Sequence, residues 1–106
     1  MVKKADAAEQ ARVDELLRQI LPVSMRGAGL LNDAAVTSAL PRYEPERVAV
    51  PTLVISMADD LFGTFDGARY TAEHVPGARF RGYPSGGHVW VGHHKEIVAE
   101  IAAFLK

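Results

Sequence analysis

One run of residues constrains this chain more than any other: Val48-Ala49-Val50-Pro51-Thr52-Leu53-Val54-Ile55 is apolar at nearly every position. A strand with one face in water alternates apolar and polar residues, whereas unbroken apolar character means that both faces are covered. Such strands belong to parallel sheets flanked by helices. The expected fold class is therefore α/β. Pro51 has no N–H to give to a ladder, so it belongs at the strand's start or edge.

The segments on either side supply the helices. Asp6 and Glu9 have the spacing of a capping box, and Val13, Leu16, Leu17 and Ile20 then recur every three or four residues as one helical stripe, which Pro22 ends near Leu21. From Val23 to Pro45 the residues Gly27, Gly29, Asn32, Asp33, Pro41 and Pro45 interrupt any pattern, so an irregular connector is expected, with Asp33 to Leu40 its only helical stretch. After the apolar strand, a loop through Gly63 leads to a helix from Thr64 to Val75, with Ala68, Ala72 and Val75 on one side and Pro76-Gly77 as its stop. Ala78 to Tyr83 reads as a second strand and Pro84 to Gly87 as a tight loop. His94 to Leu105 reads as a closing helix striped by Ile97, Val98, Ile101, Phe104 and Leu105. The order is helix, connector, then βαβα, a crossover that should be right-handed with its strands parallel.

At 106 residues the chain fits one domain, with residues 1–45 as helix and connector and 46–106 as the βαβα core. Its 48% hydrophobic and 24% charged residues are those of an ordinary globular protein. A net charge of −1 gives no electrostatic footprint for nucleic acid, and Lys3-Lys4 is too small a cluster to hold a membrane surface. The absence of cysteine excludes a disulfide framework, a thiolate metal site and a cysteine nucleophile, and fits a reducing cytoplasm. No stretch reaches the roughly 18 consecutive apolar residues of a membrane span, and Met1 to Asp6 lacks the apolar core of a signal peptide.

Two strands alone make a poor parallel sheet. The missing strands are expected either from another chain or from a larger doubly wound domain of which this is the C-terminal part. In open α/β sheets the reactive groups gather beyond the carboxyl ends of the strands. Asp59-Asp60 follows the first strand here, and Ser85-Gly86-Gly87-His88 follows the second. In isolation an Asp-Asp pair is a solvated turn or a helix cap, and a histidine after glycines is a loop residue. Together, at two strand ends, they are candidates for an acid and a base.

From Val48 to Leu105 the chain resembles the α/β-hydrolase family. The likeness rests on Val50-Pro51-Thr52-Leu53-Val54-Ile55 before the acid, Val75-Pro76-Gly77-Ala78, the Gly86-Gly87-His88 turn, and the closing Ala102-Ala103-Phe104-Leu105. The acid-then-histidine order is that of the family, in which a nucleophile on a Gly-x-Ser-x-Gly elbow comes first. None of Ser24, Ser38, Ser56 and Ser85 has glycine two residues before and two after it. The resemblance implies that residues 1–45 are a lid remnant and its return to the core, and that the nucleophile and oxyanion loop lie upstream of Met1. It also implies that His88 is the general base and that Asp60 holds its tautomer and stabilises the imidazolium. Asp59 is the rival for the acid, although the family's glycine three residues before the acid aligns with Met57 and favours Asp60.

The resemblance thus implies a hydrolase that cleaves an ester, lactone or C–C bond of a small apolar substrate without a cofactor, this chain alone having little activity for want of a nucleophile. The alternative is a non-catalytic association module that completes its sheet with a second copy or a partner chain. His88, His93 and His94 beside Glu96 invite a metal reading, but adjacent His93 and His94 point to different sides of a helix start and match no His-Glu-x-x-His pattern. Trp90, Val91, Phe62 and Phe65 either pack the loops or line a substrate pocket.

Overall fold

A computed structural model describes residues 5–106. The Lys3-Lys4 cluster and the rest of the first four residues lie outside that range. Helix α1 (Ala7–Ile20) starts at Asp6, whose carboxylate accepts the Glu9 amide proton at 2.8 Å. Pro22 follows its C-terminus, where the missing N–H forbids another turn. A 3₁₀ turn (Val23–Arg26) then runs directly into α2 (Gly27–Ser38). The expected connector is therefore mostly helical, and its helix starts six residues before Asp33. Ala28, Leu30, Leu31, Ala34 and Ala35 are strong helix formers, and the helix runs through them although Gly29 in its first turn costs up to about 1 kcal/mol relative to alanine.

A second 3₁₀ turn (Pro45–Arg47) precedes strand β1 (Leu53–Met57), which pairs in parallel with β2 (Arg79–Tyr83) in the register Leu53 to Arg79 through Met57 to Tyr83. Between them lies α3 (Thr64–His74), and α4 (His94–Phe104) closes the chain. The result is an α/β arrangement with a small two-stranded parallel sheet. The strand is shifted from its expected position: Val48 to Thr52 lie outside it and Ser56 and Met57 inside. Pairing begins where the Arg79 amide reaches the Thr52 carbonyl at 3.0 Å, and earlier residues have no facing strand to bond.

Burial is thin. One cluster joins Ala5, Val13 and Val91, with Val89 against it; the other joins Met57, Tyr83 and Ile97, with Ile55 and Trp90 alongside. The apolar stripes are present, but each is only partly used. On α1 Val13 is buried while Leu17 and Ile20 are about half exposed, and on α4 Ile97 is buried while Val98 and Ile101 are exposed, as is Leu105 just past its end. The expectation that both faces of β1 are covered holds only at its end, since Leu53, Val54 and Ile55 remain partly open. Two strands offer too little surface to cover three amphipathic helices. No helix among the described residues is long and apolar enough to cross a membrane.

Candidate functional site

Both strands end beneath the same cleft. The ladder extends one bond past β1, from the Ala58 amide to the Tyr83 carbonyl at 2.8 Å, and the chain then turns back with the Asp60 amide on the Met57 carbonyl at 3.2 Å. This turn aims Asp60 across the strand ends. Its Oδ1 accepts the Phe62 amide at 2.9 Å, while Oδ2 accepts the Thr64 hydroxyl at 2.5 Å and faces His88 Nδ1 at 2.9 Å. The Asp60 side chain is 5% exposed and the His88 side chain 59%. The carboxylate is thus enclosed by its donors, and the imidazole projects outward.

Three donors hold the negative charge in place. The Thr64 hydroxyl, then His88, then the Phe62 amide draw the Asp60 carboxyl down from 3.8 to about 2. Because the folded value lies below the unfolded one, the unfolded chain binds the proton first as pH falls. The resulting stabilisation is complete above about pH 4 and is lost as pH drops through about 2. Urea unfolding midpoints measured across this window should fall more steeply for the wild type than for Asp60→Asn. Equal slopes would mean that these hydrogen bonds do not hold the carboxylate in solution.

The histidine loop has its own support. Gly86 (φ 136°) and Gly87 (φ 65°) take backbone angles open to glycine, and a Cβ on Gly86 would lie 3.2 Å from the Trp90 Cα. The Asp59 carboxylate accepts the Gly87 amide at 2.8 Å and the Gly86 amide at 3.3 Å. The two adjacent aspartates therefore divide the work: Asp60 meets the imidazole, and Asp59 ties down the turn that carries it. Trp90, although not a glycine, also has a positive φ of 48°. Such an angle costs of order 1–3 kcal/mol and persists only where the surroundings enforce it.

Ile55, Met57 and Ala68 form an apolar floor to the cleft, whose volume is about 200 Å³; Ser56, Thr64, Asp60, His88, Gly87 and Trp90 complete it. Phe62 stands against the His88 ring with centroids 4.7 Å apart, whereas Phe65 packs edge-on against Phe80 at 5.5 Å. Val91 is buried against α1. The Ser56 hydroxyl lies 3.5 Å from that of Thr64, and no hydroxyl among the described residues hydrogen-bonds to His88. His93 lies tilted against Tyr83 with ring centroids 4.4 Å apart, and His94 accepts the Trp90 indole N–H at 3.0 Å. Among the described residues no three His, Asp or Glu side chains converge as a metal-binding group.

Asp60 and His88, far apart in sequence, are brought together, and Asp59 is separated from the imidazole. Sequence reading missed Thr64, although its position four residues after Asp60 across a helix start was a usable signal. It read Glu9 as a capping-box residue of α1 and missed Arg12; both reach the histidine loop from α1, a contact that local spacing does not signal. Comparison of the chain with family models, with curated proteins and with solved structures gave no match.

Proposed function

We propose that Asp60 and His88 are the acid and base of an α/β-hydrolase-type triad whose nucleophile comes from outside the described residues. The observation that carries this reading is the 2.9 Å contact between His88 Nδ1 and an enclosed, ionised Asp60, beside a cleft that the imidazole enters. A carboxylate at Nδ1 fixes the proton there and leaves the Nε2 lone pair facing outward. That nitrogen can take a proton from a serine hydroxyl, or assist water against an ester formed on an aspartate, and the carboxylate stabilises the imidazolium that results. The apolar floor suits a small, largely apolar ester, lactone or C–C bond substrate. No cofactor is required by this chemistry, and a reducing cytoplasm is the setting that suits a cysteine-free chain.

The test is hydrolysis of p-nitrophenyl esters by the polypeptide as its own cells make it, with fluorophosphonate labelling to detect an activated serine. Loss of a triad member costs about 10⁴- to 10⁶-fold in kcat in a comparable protease, and His88→Ala should cause a loss of that order. Turnover that survives His88→Ala unchanged would overturn the reading. The uncovered strands and the absence of any buried residue on α2 favour a second role, completion of the sheet by another chain. Light scattering that shows a stable dimer with no ester hydrolysis would favour that role over catalysis.

A further inference from the structure

We propose that α1 is a brace for the base, and that Glu9 and Arg12 are positioning residues for His88. This inference rests on the acid–base reading of His88, and it concerns residues that lie far from the imidazole in sequence. Glu9 is 7% exposed, and its Oε1 accepts two amide protons, from Gly92 at 2.9 Å and from His94 at 3.0 Å. Its carboxylate therefore does not complete a capping box on its own helix but serves the first turn of α4. The N-terminal flank of α4, His93, makes no side-chain cap of its own. A carboxylate from another helix fills that role, satisfying amide groups that the helix itself leaves open and placing negative charge at the positive end of its dipole.

One turn further along α1, the Arg12 guanidinium donates to the Val89 carbonyl at 2.7 Å and lies over the Trp90 ring, 5.4 Å from its centroid. Val13 packs on Val91. The segment that leaves His88 is thus gripped from α1 at Val89, Trp90, Val91, Gly92 and His94. Trp90 holds its left-handed backbone angle within this grip. A strained residue relaxes when its restraints are removed, and the residue two positions before it is His88. Releasing α1 should therefore let the loop relax and carry the imidazole away from Asp60, while β1, β2 and their ladder stay paired.

The proposal is tested on the purified chain by ¹⁵N NMR of the imidazoles at a pH where they are neutral. In the wild type His88 should be the Nδ1–H tautomer with a downfield, hydrogen-bonded proton. Glu9→Ala should lose that proton signal and give a mixture of tautomers, although amide dispersion shows a folded chain. Glu9→Gln, which keeps an oxygen able to accept both amides, should restore the wild-type signal. Glu9→Asp, one methylene short, should resemble the alanine variant, and it serves as the readout if Glu9→Ala does not fold. Ala99→Gly, which weakens α4 on its exposed side, should leave the His88 signal unchanged and so separates positioning from general destabilisation. A wild-type His88 without the Nδ1–H form would overturn the acid–base pair itself. A wild type that has this form, with Glu9→Ala and Glu9→Asp both keeping it, would overturn the brace alone.

Discussion

Asp60→Asn is expected to lower the kcat of the proposed hydrolase by about 10⁴-fold, the loss seen when a triad aspartate is amidated in a serine protease. Local geometry gives the reason. Oδ1 of Asp60 receives the Phe62 amide and Oδ2 receives the Thr64 hydroxyl, so an asparagine must place its NH₂ at one of these positions. At the Oδ1 position the NH₂ would face another N–H, which has no acceptor to offer. At the Oδ2 position the Thr64 hydroxyl can rotate to accept, because a hydroxyl both donates and accepts. The amide therefore points its NH₂ at His88, whose Nδ1 must then accept. The ring proton moves to Nε2, and the nitrogen that should act as base has no free lone pair. Ester turnover measured beside the imidazole ¹⁵N spectrum checks both halves of this expectation. A variant within tenfold of the wild-type rate would sink it.

The largest stability effect is expected at Ile97. It is 1% exposed and joins Met57 and Tyr83, so one side chain ties α4 to the ends of both strands beneath the site. Truncation of a buried isoleucine to alanine costs about 2–5 kcal/mol, against total stabilities of about 5–15 kcal/mol for whole domains. With two small clusters in place of one large core, Ile97→Ala should lose its cooperative thermal transition or melt far below the wild type. Val98→Ala, the next residue and 49% exposed, should stay within about 0.5 kcal/mol of the wild type. Near-UV circular dichroism of Trp90 and Tyr83 during thermal unfolding distinguishes the two. Equal midpoints would show that Ile97 is not the keystone of this cluster.

Where local chemistry decides conformation, the elements are legible in the residues themselves. The side chain of Asp6 begins α1 and Pro22 bars its continuation; Gly63 and Pro76-Gly77 bracket α3. The Gly86-Gly87 turn requires backbone angles that other residues rarely take. The failures share a cause in the opposite direction. Val48 to Pro51 have the composition of a strand, but a strand exists only where a neighbour accepts its hydrogen bonds, and β2 starts opposite Leu53. Glu9 has the spacing of a capping-box residue, yet its carboxylate goes to the start of α4, 83 and 85 residues away. Local spacing identifies a group that can cap; it does not say which helix end will be within reach.

The same division runs through the candidate site. Residue order alone located it, because strand ends gather reactive groups and the two strands end at the paired aspartates and at Gly86-Gly87-His88. Although the family resemblance already favours Asp60 over Asp59, tertiary structure supplies the geometry that parts them, since the turn after Met57 points one carboxylate at the loop amides and the other at the imidazole. It also recruited Thr64 to Asp60 and Glu9 and Arg12 to the histidine loop. The physical reason is that a side chain's type and its strand-end position are properties of the local chain, readable from sequence. Which of two adjacent carboxylates meets a ring 28 residues later depends on ångström-scale placement, and that is set by every element packed around the cleft.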